Sequence, residues 1–187
     1  VDHHQAGEIL PEAHAVINPN RQDDVSGFGY LCAAGVVMIL IATVNKLLRA
    51  RGWYSAERPE PNMLQWLELV ALATVCDVVP LKGLNRAYVT QGLKIMSRRE
   101  NLGLAMLSDI ARLKRSPDVY ALGFVLGPRL NAAGRIGHAD LALELLTTRD
   151  KGRANQLAQE LEQLNRQRQA IEMRVVDAAA LQAEAAL

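Results

Sequence analysis

Asp2, His3 and His4 stand together near the start of the chain, and Asp77 lies far along it. All are residue types that can hold divalent cations. Two adjacent histidines on a strand point to opposite faces, so one site can use both only near a strand end, where the backbone turns. An aspartate beside them can fix the tautomer of a ligating imidazole. The other reading of Asp2-His3-His4 is a terminal tail with incidental histidines. Asp77 closes the apolar run "LELVALATVCDVVPL". A carboxylate between Cys76 and Val78 is desolvated unless it finds a proton, a cation or several donors. A helix C-terminus also disfavours an anion, which points to a metal as its partner. The alternative is a C-terminal aspartate bonding to the turn before Pro80.

A third constellation is "GPRLNAAGRIGHAD". Arg129 and Arg135 are six apart in what reads as a glycine-punctuated loop, where small residues let the backbone approach a ligand. Guanidinium forks and free backbone N–H groups together make a phosphate site. Asn131 either orients that loop or donates to a phosphate. The competing reading is a helix–helix turn with solvated arginines. His138 reads as a cap or packing residue at the next helix start, His14 as an ordinary surface or packed histidine, and Arg21 as one half of an ion pair with Asp23 or Asp24.

The elements that must position these groups follow from periodicity. Val1 reads as the end of a strand, and "HAVINPN" as a second short strand stopped by Asn-Pro. "RQDDVSGFG" is a loop. Helices are expected over 30–51, 63–76, 84–99, 103–114, 117–126 and 138–148. From Lys151 onward, Leu157, Leu161, Leu164, Ile171, Val175 and Ala178 alternate in steps of four and three, with Arg168 at the skipped position. This is one long amphipathic helix with a narrow stripe, suited to a connector or coiled contact rather than a core.

The 187 residues suffice for one domain with a real core, or a domain plus an appendage. A net charge of +1 supplies no global field toward nucleic acid, so such binding would need local groups. Cys32 and Cys76 lie far apart in apolar runs and read as buried free thiols, which fits a reducing, cytosolic compartment. The run "YLCAAGVVMILIATV" is shorter than a bilayer span and leads into "NKLLRARGW", so it reads as a buried helix rather than a membrane span.

Four segments in order, "DHH", "LPEAHAVINPNR" with "LCAAGV", "ALATVCDVVPL", and "LGPRLNAAGRIGHADLALELL", resemble the RecJ family of single-strand-specific 5′→3′ DNA exonucleases, within the DHH phosphoesterase superfamily. The resemblance runs through nearly the whole chain, including "ELEQLNRQRQAIE". It implies an α/β fold: residues 1–150 as part of a DHH-type parallel-sheet domain, itself mostly helical here, and 151–187 as a connector helix toward a second domain, DHHA1. It implies two divalent ions, Mn²⁺ or Mg²⁺, with His3 and Asp77 as metal ligands, His4 facing the scissile phosphate, and Asp2 holding a histidine or ligating indirectly. Arg129, Arg135 and Asn131 would bind substrate phosphate. Cys76 stands where many relatives carry alanine. The implied substrate is single-stranded DNA, with a single-strand-binding protein or a helicase as partner, in the cytoplasm and without a membrane.

Two departures qualify this. The paired aspartates and the bridging aspartate that precede the DHH run in the family are not found here, nor is the glycine-rich motif of DHHA1. The resemblance therefore implies an internal fragment, inactive alone. Two other readings share the metal residues: a DHH phosphodiesterase for small substrates, and a catalytically dead DHH replication scaffold. "GPRLNAAGR" argues against the first, and intact His3, His4 and Asp77 against the second.

Overall fold

The computed structural model describes residues 1–185, which divide into two compact units, the first Val1–Ser97 and the second from Arg98 onward. Among the described residues no strand forms: the chain is helical, as expected, and the two short strands read from sequence are absent. The segments read as strands do lie side by side. Asp2 N–H donates to the Ile17 carbonyl (3.0 Å) and Ala6 N–H to the Asn20 carbonyl (3.4 Å), the register of two chains running the same way. No ladder grows because the carbonyls of His3 and His4 are taken by the Asn20 and Asn18 side chains. A strand needs a repeating backbone partner instead.

Four helical elements complete the first unit. Helix α1 spans Ala33–Ala50, and a 3₁₀ turn at Met63–Trp66 leads into α2 (Leu67–Cys76). Helix α3 covers Gly83–Met96. Asn62 caps the 3₁₀ turn by accepting from Leu64 N–H. The centre is α2, whose Leu67, Glu68, Val70, Ala71, Leu72 and Thr74 are all buried. Helix α3 lies against it so closely that a Cβ on Gly92 would stand 2.3 Å from the Leu67 carbonyl oxygen and 2.4 Å from Ala71 Cβ. By length and composition α1 could cross a membrane. It packs on α2 through a face that buries Val36, Met38 and the polar Asn45. Asn45 is bonded to Glu60 and to the Tyr54 hydroxyl, a polar network that suits a helix of a folded domain.

In the second unit, α4 (Leu102–Ile110) is capped by Asn101, which accepts from Leu104 N–H and donates to the Leu146 carbonyl. A π-helical stretch at Ala121–Leu126 runs directly into α5 (Gly127–Ile136), followed by α6 (Asp140–Thr147) and α7 (Lys151–Ala185). "GPRLNAAGRIG" is therefore a helix, not the loop its glycines suggested. Pro128 lies where the π-helical stretch passes into α5, and Ala132 and Ala133 are buried good helix formers. The start of α7 is also more than a connector. Ala154, Leu157, Ala158, Leu161 and Asn165 are buried, and the helix packs against α4, α5 and α6. Beyond Arg168 its apolar residues Ile171, Val175 and Val176 are exposed.

Candidate functional site

Backbone geometry sets the histidines. Asp2 Oδ1 accepts from His3 N–H at 2.8 Å, curling the chain so that both imidazoles leave the same short segment, with ring centroids 4.4 Å apart. Asn18 and Asn20 then clamp the carbonyls of His4 and His3 at 2.9 and 2.6 Å. Asn18 Oδ1 accepts from Asn20 N–H, which makes the two amides one rigid bracket. Gly29 belongs to it as well: Asn20 donates to the Gly29 carbonyl, and a Cβ there would stand 2.4 Å from Asn20 Oδ1. Sequence reasoning read "INPN" only as a strand end and turn. The recoverable signal was two asparagines flanking a proline, residues that bond backbone groups nearby.

The two histidines have different environments. His3 is 15% exposed, and its Nε2 lies 3.2 Å from Asp77 Oδ2. His4 is 77% exposed and holds Asp2 Oδ1 through Nδ1 at 2.8 Å. A neutral His4 making that bond carries its proton on Nδ1, which leaves Nε2 with a free lone pair facing outward. The hydrogen bond from His4, then that from His3 N–H, lower the Asp2 carboxyl to about 2. The tautomer-fixing role read for Asp2 thus falls on His4.

Asp77 caps the C-terminus of α2, its N–H bonded to the Ala73 carbonyl. The next residue, Val78, has φ +56°, a left-handed conformation that is an outlier for a β-branched side chain. Such strain persists where surroundings enforce it, commonly at functional sites. Beside Asp77, burial and then the carboxylate charge raise the Cys76 thiol to about 11. Cys32 is buried and free.

His3 and Asp77 fit a divalent cation. Their chemistry is a mixed nitrogen and oxygen set, and 3.2 Å is close to the roughly 3.0 Å that separates adjacent octahedral ligands each about 2.1 Å from one ion. Among the described residues no group of three His, Cys, Asp or Glu side chains gathers into a metal site, so what the geometry offers an ion here is this pair.

The second constellation divides. Arg129 is 16% exposed and is held inward by Glu162 Oε2 at 2.6 Å and by the Val125 carbonyl at 2.7 Å. Glu162 also binds Arg166. Arg135 and Asn131 are exposed, one helical turn apart on α5. The expected two-arginine fork in a loop is therefore not what forms, because six helical residues turn Arg129 and Arg135 onto different faces. Elsewhere Arg21 pairs with Asp23 at 2.6 Å, as read from sequence. His138 is exposed, and its carbonyl accepts from Leu141 N–H at the entry to α6. His14 is exposed.

No family model matches the chain. Curated relatives do. The chain is 43% identical over 175 residues to the single-stranded-DNA-specific exonuclease RecJ of Dickeya dadantii and 42% identical over 176 residues to that of Salmonella typhimurium, 91% of this chain in both cases. It spans about 30% of the length of those relatives. Its fold matches RecJ of Thermus thermophilus in complex with Mn²⁺, with TM-score 0.78 and 31% identity over 94% of this chain and 25% of that one. It also matches an exonuclease RecJ bound to manganese, with TM-score 0.79 and 31% identity over 96% of this chain and 43% of that one. Sequence and fold together place this chain in the RecJ family, as the counterpart of about 30% of a RecJ polypeptide.

Proposed function

We propose that this chain is the part of a metal-dependent, single-stranded-DNA-specific 5′→3′ exonuclease that supplies one face of its metal site. The observation that carries this is the 3.2 Å approach of His3 to Asp77, residues 74 positions apart, in a chain so similar to RecJ. When bound, two Mn²⁺ or Mg²⁺ ions lower the pKa of a water and neutralise charge on the scissile phosphodiester. His3 and Asp77 hold metal. Asp2 fixes His4 so that its outward Nε2 meets the scissile phosphate. Asn18, Asn20 and Gly29 keep both histidines in register. On the second unit, exposed Arg135 and Asn131 bind backbone phosphate, and Arg129, on another face of α5, would reach a phosphate only by leaving Glu162. The helices belong to a DHH-type domain whose parallel sheet comes from the remainder of such a protein, and the distal half of α7 leads toward DHHA1. The enzyme acts in the cytoplasm, in DNA repair and recombination, alongside a single-strand-binding protein or helicase.

The test replaces the matching segment of the Dickeya RecJ with this chain. The chimera is expected to release nucleotides from a 5′-labelled single strand only with Mn²⁺ or Mg²⁺. His3→Ala and Asp77→Asn should each remove activity and weaken Mn²⁺ binding by at least about 100-fold, the upper end of what losing even an outer-shell partner costs. Full Mn²⁺ affinity in both variants would refute the assignment.

A further inference from the structure

The widest helical turn of the second unit carries a feature that the metal site does not use. In the π-helical stretch and the residue before it, Phe124 and Tyr120 stack on one another with ring centroids 5.0 Å apart and planes inclined by 28°. Both rings face solvent, Tyr120 at 66% and Phe124 at 70% exposure. Large aromatic rings left open as a pair are unusual on a surface, where single exposed apolar residues are the ordinary case. π-helical turns occur frequently at functional sites.

Charge points to the occupant. The approach to this turn reads "RLKRSPDVY", and Arg112, Lys114 and Arg115 are exposed with no ion pair among the described residues. One acid, Asp118, lies in the stretch, and its carboxylate is spent capping Ala121 N–H at 2.8 Å. Five residues separate Arg115 from Tyr120, at most about 18 Å of chain. Unopposed cations in the segment leading to open rings suit a polyanion with flat faces, as nucleic acid without a second strand is. They suit a neutral apolar protein surface poorly, since the cations would then be desolvated without partners. Stacking on an aromatic is also tolerant of sequence, because every base has a π-face.

We infer that Tyr120 and Phe124 form a stacking platform for a base of single-stranded nucleic acid, with Arg112, Lys114 and Arg115 holding the adjoining phosphates. This deepens the proposed DNA-handling role and rests on it. It adds a base contact where the chain as a whole, with two Phe, two Trp and four Tyr, has few to offer.

The experiment measures fluorescence anisotropy of the 187-residue chain with a labelled oligothymidylate of about 12 nucleotides, within the usual site sizes. An abasic oligomer of equal length is the second probe, and EDTA is present throughout. The double variant Tyr120→Ala, Phe124→Ala should bind oligothymidylate roughly 5- to 150-fold more weakly, the range spanned by removing a stacking ring. Its affinity for the abasic strand should stay that of the parent. Phe124→Trp should keep affinity and show emission quenched by the oligothymidylate. Lys114→Gln with Arg115→Gln should weaken both probes and flatten the log–log salt slope by about 1.4. Circular dichroism of each variant checks the fold. Unchanged oligothymidylate affinity in the double variant would overturn the platform while leaving a DNA-binding chain, as would equal losses on both probes. Loss of a parental self-association, with DNA binding intact, would assign the patch to a second copy instead. A parent that binds neither probe overturns the DNA reading of this segment and the platform with it.

Discussion

His3, His4 and Asp2 show how much of a site's chemistry is decided within a few ångströms. One carboxylate oxygen of Asp2 accepts from His3 N–H and from the His4 ring, and these bonds hold the Asp2 carboxyl at about 2. A carboxyl lowered in the folded state adds stability that is fully present above its ordinary value of 3.8 and is lost as pH falls toward about 2. The expected result is an Asp2 carboxyl ¹³C titration with a midpoint near 2. In Asp2→Asn, the pH dependence of unfolding between 3.8 and about 2 should be shallower than in the parent. An ordinary Asp2 midpoint would mean that the His4 contact does not persist in solution, and the tautomer argument would go with it.

At the scale of elements, the same residue type has opposite consequences in two helices. Gly92 is pressed against α2, where an added methyl meets backbone that cannot yield, so Gly92→Ala should destabilise the first unit by about 1–3 kcal/mol. Gly134 in α5 has open space around its Cβ position, so Gly134→Ala should stabilise by up to about 1 kcal/mol through helix propensity and unfolded-state entropy. Urea unfolding of both variants tests the packing directly, and a shared sign would contradict it. The arginines of α5 divide similarly. Arg129→Ala takes a half-buried partner from Glu162, which keeps Arg166, and should cost about 2 kcal/mol. Arg135→Ala should change stability by no more than about 0.5 kcal/mol while weakening single-strand binding. Thermal unfolding paired with salt-titrated binding separates the two roles. Arg129→Ala with parental stability would return that residue to a simple phosphate role.

For the whole molecule, the proposed pair of metal donors sets the expectation. A chain that presents His3 and Asp77 without a third gathered ligand among the described residues should bind Mn²⁺ weakly and should not position two ions. The 187-residue chain is therefore expected to leave a 5′-labelled single strand intact in millimolar Mn²⁺. Manganese-dependent cleavage that disappears in His3→Ala would show that the chain assembles a complete site unaided.

Sequence alone determined the helices and the chemistry on offer. Apolar periodicity located α1, α2, α3 and α4 to within a few residues, because a helix buries a face that repeats every few positions. The residues of "DHH" and "ATVCDVVPL" singled out the two side chains, His3 and Asp77, that the fold brings to 3.2 Å. Three things were decided only in three dimensions. His3 meets Asp77 because α2 delivers its C-terminal acid to the bracket formed by Asn18 and Asn20, a meeting that no local pattern encodes. The extended segments stayed short of a sheet because side-chain amides captured the carbonyls that a neighbouring strand would have used. The glycines of "GPRLNAAGRIG" suggested a loop, yet Ala132 and Ala133 buried themselves as helix, and Glu162 of α7 drew Arg129 inward. Propensity is worth about 1 kcal/mol per glycine, and burial against a long neighbouring helix outweighs it.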